Sequence, residues 1–306
     1  MSIKNEVYKL LLSSNEYLSG EKIAAELSTS RMSVCNAIKK LEQEGLKIDS
    51  VTNKGYKILS GDILNNETLN LNINSLYLDE CTSTMAEARS MLDKGEKTPF
   101  VVLSSKQSAG RGRRGRSFIS ENGGIYLTLV VENEYKVESI TTKVCVAVSR
   151  VIDRMGFSSQ IKWVNDIYID GKKCVGILTE GIINLELAQV SHVLIGIGIN
   201  YTTKDFPKEL NAVSLFPDGS AKETRSEFIS ALIDEIFILL NEEDYYNEYR
   251  AKSCIIGKNI NVLKQDECKK AKAIDIDENC HLIVEYPDNT IEVLSSGDVS
   301  IRSDED

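Results

Sequence analysis

Gln107-Ser108-Ala109-Gly110-Arg111-Gly112-Arg113-Arg114-Gly115-Arg116 is the stretch on which the fold turns. Its glycines at 110, 112 and 115 spell G-x-G-x-x-G, the fingerprint of a doubly wound dinucleotide-binding sheet. That fingerprint has to open a helix. Here a strand follows, and arginines fill all three variable positions, so the dinucleotide fold is rejected. Four guanidiniums on a glycine-rich loop repel one another and bury little, and the loop is expected to be mobile until an anion neutralises it. A phosphate or acyl phosphate does this well, because guanidinium is always charged and binds it in bidentate fashion. A solvated basic loop or a nucleic-acid patch is the other reading of the same residues.

Around the loop, strands and helices mix. Residues 100–104 and 125–131 read as buried strands, and Val144, Ala147, Val148, Val151 and Ile152 mark the inner face of a helix. Residues 161–163 form a short strand. Residues 167–169 and 173–179 form a hairpin about Asp170-Gly171, a favoured two-residue turn. A strand over 190–199 and an apolar-faced helix over 227–240 complete the body. Hairpin-joined strands with inserted helices imply an α+β domain on a mixed sheet, not a regular βαβ winding.

Toward the N-terminus the pattern changes. A short helical run over 7–12 precedes Ser19, which can cap a helix carrying Ile23, Ala24 and Leu27 on one face. After Ser28-Thr29-Ser30 comes a helix with Val34, Ile38 and Leu41 in step and Gly45 as its stop. Residues 47–59 read as two strands about Asn53-Lys54-Gly55. Two helices joined by a tight turn, then a hairpin, predict a winged helix-turn-helix. Its second helix would enter a major groove with Ser33, Asn36 and Lys40, while Arg31 and the wing's Lys54 would meet phosphates. A lone head of this size would bind weakly, so a dimer on two half-sites is expected. A small helical protein-interaction module is the alternative. Residues 61–74, rich in Asn, read as a connector.

Composition fits this division. The chain has 306 residues and a net charge of −10, yet its first sixty residues carry nine Lys/Arg against seven Asp/Glu. That surplus of two leaves −12 on the remainder, so only the head suits DNA. No apolar run approaches the roughly 18 to 20 residues that span a bilayer. No signal-peptide pattern opens the chain, which is expected in the cytoplasm. Seven scattered cysteines without a C-x-x-C pair, and only two histidines (His192 and His281), speak for reduced thiols and against zinc or Ser-His-Asp chemistry.

Four segments in order now carry a resemblance: Gly110 to Arg116 (GRGRRGR), Lys162-Trp163-Val164-Asn165-Asp166 (KWVND), Lys173-x-x-Gly176-Ile177-Leu178-x-Glu180, and Ile195-Gly196-Ile197-Gly198-Ile199-Asn200. In that order and spacing the chain resembles the bacterial biotin protein ligases. With its winged head it looks like the bifunctional kind that is also the biotin operon repressor. The resemblance runs end to end. It implies ATP-dependent activation of biotin to biotinyl-5′-AMP and transfer to a lysine of a biotin carboxyl carrier protein, an acetyl-CoA carboxylase subunit. Biotinyl-AMP would also act as corepressor for a homodimer on double-stranded operator DNA. The implied architecture is a winged head (1–62), a class II synthetase-like biotin- and ATP-binding domain on a mixed sheet (63–254) and a small C-terminal β-barrel (255–306).

By the same resemblance, Arg111 and Gly112 lie against biotin and the adenylate, and Arg113 and Arg116 engage its phosphate. Lys173 bridges carboxylate and phosphate oxygens, beside a Gly176 that lets ligand approach. Ser83, Thr84 and Gln107 match residues that hold biotin's ureido ring, with Met85 beside them where relatives carry Asn, so that one hydrogen bond is missing or supplied elsewhere. Trp163, Asn165 and Asn200 fall on the nucleotide side. Trp163 is equally readable as core. Asp166 would help place Mg²⁺ on the ATP phosphates, and Arg302 matches a position near the nucleotide, or is a salt-bridged surface residue. Val164, where relatives have Pro, is expected to loosen its turn. The C-terminal barrel is read from strand-like runs at 260–263, 269–276, 281–286 and 290–294. Two rivals remain: a lipoate ligase, which the arginine loop and head disfavour, and a non-catalytic ligand-sensing repressor, which would not need Arg111, Arg113, Arg116 and Lys173.

Overall fold

Ser2 and Ser19 decide where the first helices begin. Each sits in extended backbone and accepts a hydrogen bond from the amide three residues on, starting α1 (Ile3–Leu12) and α2 (Gly20–Glu26). The computed structural model describes every residue except Met1, Glu44, Lys136, Leu185, Leu187, Asp205, Lys208, Lys222, Gln265, Asp266 and 302–306. α3 (Arg31–Gln43) buries Val34, Ala37, Ile38 and Leu41 against Val7, Leu11 and Ile23. The antiparallel wing, β1 (Lys47–Val51) and β2 (Gly55–Ser60), turns with Asn53 at φ 63°. Leu18 and Tyr56 exchange both backbone hydrogen bonds, at 3.0 and 2.9 Å. A Cβ on Gly55, whose φ is 113°, would lie 2.0 Å from the Leu18 carbonyl, so the wing docks on the helices only because that residue is glycine. The winged helix-turn-helix stands as expected.

The connector is tied down at both ends. Ile63 belongs to the head core and Leu64 to the body core. The Ile63 amide donates to the Tyr8 hydroxyl at 3.2 Å, and Asn5 donates to Glu67 at 2.6 Å. The Asp62 carboxylate accepts from two donors of Arg225, the backbone N–H at 2.7 Å and Nε at 2.9 Å. Those two side chains are only 13% and 11% exposed. Head and body are thus joined through a buried ion pair.

The body is a seven-stranded sheet in the order β3-β4-β5-β9-β8-β7-β6. Its strands are β3 (Asn74–Leu78), β4 (Phe100–Ser104), β5 (Ile125–Glu132), β6 (Ser159–Lys162), β7 (Asp166–Ile169), β8 (Lys172–Asn184) and β9 (Gln189–Ile199). Only β3 and β4 are parallel, so the sheet is mixed. The β7–β8 turn places Asp170 at φ 49° and Gly171 at φ 73°, the left-handed pair that a tight two-residue hairpin requires. α4 (Thr84–Asp93) packs with β4, β5 and β9 around Met85, Ala88, Phe100 and Leu194. α5 (Val137–Arg154) and α6 (Arg225–Asn241) pack together over the main core, α6 held at its start by a Thr224–Glu227 capping box. α7 (Tyr246–Ala251) leads to the C-terminal strands β10 (Asn259–Lys264), β11 (Glu267–Ile276), β12 (Leu282–Glu285), β13 (Ile291–Leu294) and β14 (Asp298–Ile301). They form one antiparallel sheet ordered β13-β12-β11-β10-β14, the expected C-terminal β domain, and its buried face is continuous with the body core. Among the described residues no helix is long and apolar enough to cross a membrane.

Candidate active site

A cavity of about 510 Å³ opens over β5, β8 and β9 beneath the arginine loop. Its floor depends on glycine. Gly176 on β8 faces Gly198 on β9, and Gly196 is paired with Leu178. A Cβ on Gly198 would come within 2.5 Å of the Phe118 ring, and one on Gly176 within 2.9 Å. Gly176 and this ring both line the cavity; the ring lies on the sheet and also contacts Tyr126 edge-on with centroids 6.3 Å apart. The sequence reading missed Phe118. The available signal was an aromatic two residues beyond the last arginine.

One end of the cavity is a closed polar relay. The Gln107 carbonyl oxygen accepts from the Thr84 amide at 2.8 Å and the Thr84 hydroxyl at 3.1 Å, while its NH₂ donates to Ser120 Oγ at 2.8 Å. Thr128 donates to the Thr84 hydroxyl at 2.9 Å. The Gln107 amide orientation is therefore set, which is what a site for a flat polar ring needs. Ser83 is buried at the start of α4 without capping it, and Met85 packs against Gly196 as an apolar wall. Tyr126 donates to the Glu121 carbonyl at 2.6 Å, and burial pushes its hydroxyl up to about 12, so it stays a proton donor.

The other end gathers charge. Lys173 Nζ lies 2.8 Å from Asp166 Oδ1 and 5.8 Å from the Phe118 ring centroid. Lys173 is fixed by its backbone, which exchanges hydrogen bonds at 2.9 Å with the Asn211 carbonyl and the Val213 amide. Arg113 donates to Asn165 Oδ1 at 3.3 Å, and Asn165 donates on to the Ile177 carbonyl at 2.6 Å. The arginine loop is a hairpin closed by Gly112 N–H to Arg116 O at 2.7 Å and Phe118 N–H to Gly110 O at 2.9 Å. Arg111, Gly112, Arg113 and Arg116 line the cavity. Arg114 takes φ 53° and donates to the Leu263 carbonyl of β10 at 2.8 Å, away from it.

Of the residues chosen from sequence, Ser83, Thr84, Met85, Gln107, Arg111, Gly112, Arg113, Arg116, Asn165, Asp166, Lys173, Gly176 and Asn200 converge on this one cavity. Trp163 does not. It is 4% exposed and its Nε1 donates to the Cys280 carbonyl at 2.9 Å, so it fastens the C-terminal sheet to the body, the core reading of the two the sequence allowed. Arg302 lies outside the described residues. The Val164 carbonyl accepts from the Tyr249 hydroxyl at 3.0 Å. Lys162 and Tyr168 were missed. They line the cavity from β6 and β7, 3.4 Å apart. Among the described residues no group of three or more His, Cys, Asp or Glu is placed to hold a metal. Asp166 is a single carboxylate, enough only for a cation that arrives already bound to phosphates.

On the head, Asn36 and Lys40 are exposed on α3. The Ser33 hydroxyl lies 2.8 Å from that of Ser30, whose Oγ also accepts from the Ser33 amide, so Ser33 helps start the helix. Arg31 reaches Glu21 at 3.1 Å with both side chains at least three-quarters exposed, a contact that costs little to break. Lys54 stands 5.9 Å from the centre of the Tyr17 ring on the wing.

Three segments match known families: residues 4–57 an HTH domain, 77–200 the Biotin/lipoate A/B protein ligase family, and 255–302 the Biotin protein ligase C terminal domain. The chain is 32% identical to the bifunctional ligase/repressor BirA of Bacillus subtilis, over 94% of either chain. To the protein of the same name from Escherichia coli it is 24% identical over 96% of each. Its fold resembles the biotin protein ligase from Aquifex aeolicus solved with biotin and ATP, with a TM-score of 0.64 at 22% identity over 75% of this chain and 98% of that one.

Proposed function

The chain belongs to the family of bifunctional biotin ligases and repressors, and from that premise we propose how its own residues carry both activities. It is a biotin protein ligase. Biotin's carboxylate oxygen attacks the α-phosphorus of ATP and the bond to pyrophosphate breaks, leaving biotinyl-5′-AMP. The ε-amine of an acceptor lysine then attacks the acyl carbon, the bond to the phosphate oxygen breaks, AMP departs and the amine loses a proton. Both steps concentrate negative charge at one point, so fixed cations do the work and no covalent nucleophile is needed.

The observation that carries this reading is the convergence of Lys173, Arg111, Arg113 and Arg116 on a cavity whose far end is the Thr84–Gln107–Ser120 relay. The relay, with Ser83, takes the ureido ring. The valeryl chain passes over the glycine floor beside Phe118. Lys173 exchanges its partner Asp166 for the carboxylate and phosphate oxygens, and Arg113 exchanges Asn165 for phosphate. Asn165 and Asn200 then face the nucleotide. Mg²⁺ would be held by the ATP phosphates with Asp166 beside it, neutralising the departing pyrophosphate.

The adenylate also governs DNA binding. β7 pairs with β8 only over Lys172 to Gly176, so the far half of β8 has no strand on that side among the described residues, and Ile183 there is 61% exposed. A second copy pairing at this edge gives a two-fold dimer and sets two winged heads on a palindromic operator. Adenylate that orders the arginine loop favours the dimer, and acceptor that consumes it releases the heads.

Pyrophosphate release from MgATP with biotin or lipoate, followed by label transfer to a biotin carboxyl carrier domain, tests the catalytic reading. Release and transfer with biotin alone are expected. Release with lipoate instead would make the chain a lipoate ligase, and silence with both acids would make it a ligand sensor.

A further inference from the structure

We propose that Met32 reads the C5-methyl group of a thymine in the major groove, one helical turn from a base read by Asn36. This rests on the reading of the head as a DNA-binding domain and adds to it the chemistry that α3 selects.

The buried stripe of α3 is Val34, Ala37, Ile38 and Leu41. At about 100° per residue, Met32, Asn36 and Gln43 fall within about 20° of the direction opposite Val34, and Lys39 lies just beside them. This is the outermost ridge of the helix, and Asn36, Lys39, Lys40 and Gln43 are exposed along it. Ser33, by contrast, stands on the flank and is engaged with Ser30. Met32 occupies the first turn, the part of a recognition helix that reaches base edges. At 69% it has the largest exposure of any large hydrophobic residue described in this chain.

A single exposed apolar side chain needs no explanation by itself. What distinguishes Met32 is its setting. Its neighbours on or beside the ridge are two amides, Asn36 and Gln43, and two lysines, on a head that carries a positive surplus within an acidic chain. A protein partner would want a contiguous apolar patch, and Arg31, Ser33, Asn36 and Lys39 deny it one. Duplex DNA offers the opposite arrangement: phosphates for the lysines, hydrogen-bonding base edges for the amide, and one isolated apolar feature, the thymine methyl. An Asn at this place prefers adenine, whose N7 and N6 it engages together. The unbranched thioether of Met can adjust its reach to the methyl without moving the helix.

The test uses the full chain with biotin and MgATP. Random 40-base-pair duplexes are enriched for binding, and each thymine of the enriched half-site is then replaced singly by deoxyuridine, which removes only the methyl. One replacement per half-site should weaken wild-type binding about three- to fivefold, the size expected for one buried methyl group. That penalty should vanish in Met32→Ala and persist in Met32→Leu, while the adenine preference neighbouring it survives in both and is lost in Asn36→Ala. Circular dichroism checks that each variant is folded. Deoxyuridine tolerated at every position, or a penalty that survives Met32→Ala, overturns the proposal and leaves the DNA-binding reading intact. If no duplex is enriched, both fall together.

Discussion

In the winged head, the face proposed to meet DNA comes from the 13 consecutive residues of α3 and one wing turn, whereas the proposed catalytic cavity collects its groups from segments as far apart as Ser83 and Asn200. The head builds its surface by leaving side chains out in solvent, with partners such as Glu21 on Arg31 that are easily given up. The cavity holds its groups on partners of matched charge or hydrogen-bonding type: Lys173 on Asp166, Arg113 on Asn165, Gln107 between Thr84 and Ser120. A surface of the first kind loses only what the removed residue contributes. A site of the second kind fails when one is removed, because the remaining partners are left unmatched.

Substitutions probe that difference, beginning where the largest effect is expected. Lys173→Ala should lower biotin-dependent pyrophosphate release about 10²- to 10³-fold, the scale for losing a fixed cation or donor at a developing charge. Unchanged turnover would remove Lys173 from catalysis. Asp62→Ala acts on the seam between the two regions. It strands Arg225 in a site where it is 11% exposed, and should cost about 3 kcal/mol. The chain has a single tryptophan, Trp163 in the body, so its fluorescence follows body and C-terminal sheet while circular dichroism follows all helices. In Asp62→Ala the urea transitions seen by the two probes should separate, the head melting first. Coincident transitions would mean the ion pair does not couple the regions. Smallest is Lys54→Ala, which should weaken duplex binding evenly across sequences and reduce the logarithmic salt slope by about one, as for one lost phosphate contact. A change in sequence preference would instead make Lys54 a base reader.

The same contrast explains what could be read from the chain alone. The head was legible because its signals are local: Ser19 before a helix, Val34, Ile38 and Leu41 in step, and Asn53 and Gly55 at a turn that needs positive φ. The body hairpin at Asp170-Gly171 was legible for the same reason. The cavity was reachable only through resemblance, since nothing local says that Gly176 will face Gly198 or that Gln107 will meet Thr84. Trp163 falls on the nucleotide side by the resemblance and is equally readable as core from sequence. Its actual partner, Cys280, lies 117 positions away. Phe118 went unnoticed because its meaning depends on two glycines in strands that arrive later in the chain. β3 went unread because none of its five residues is buried, and α4 because it begins at a serine whose side chain makes no capping bond.

The central claim is that one adenylate made in the cavity decides what the head does. The most direct measurement is the anisotropy of a labelled enriched duplex titrated with the chain in four states: alone, with biotin, with biotin and MgATP, and with both after adding unbiotinylated carrier domain. Tight binding should appear only in the third state and decay in the fourth as label reaches the carrier lysine. Affinity that ignores biotin and MgATP, or that persists after the carrier has been modified, would contradict the account.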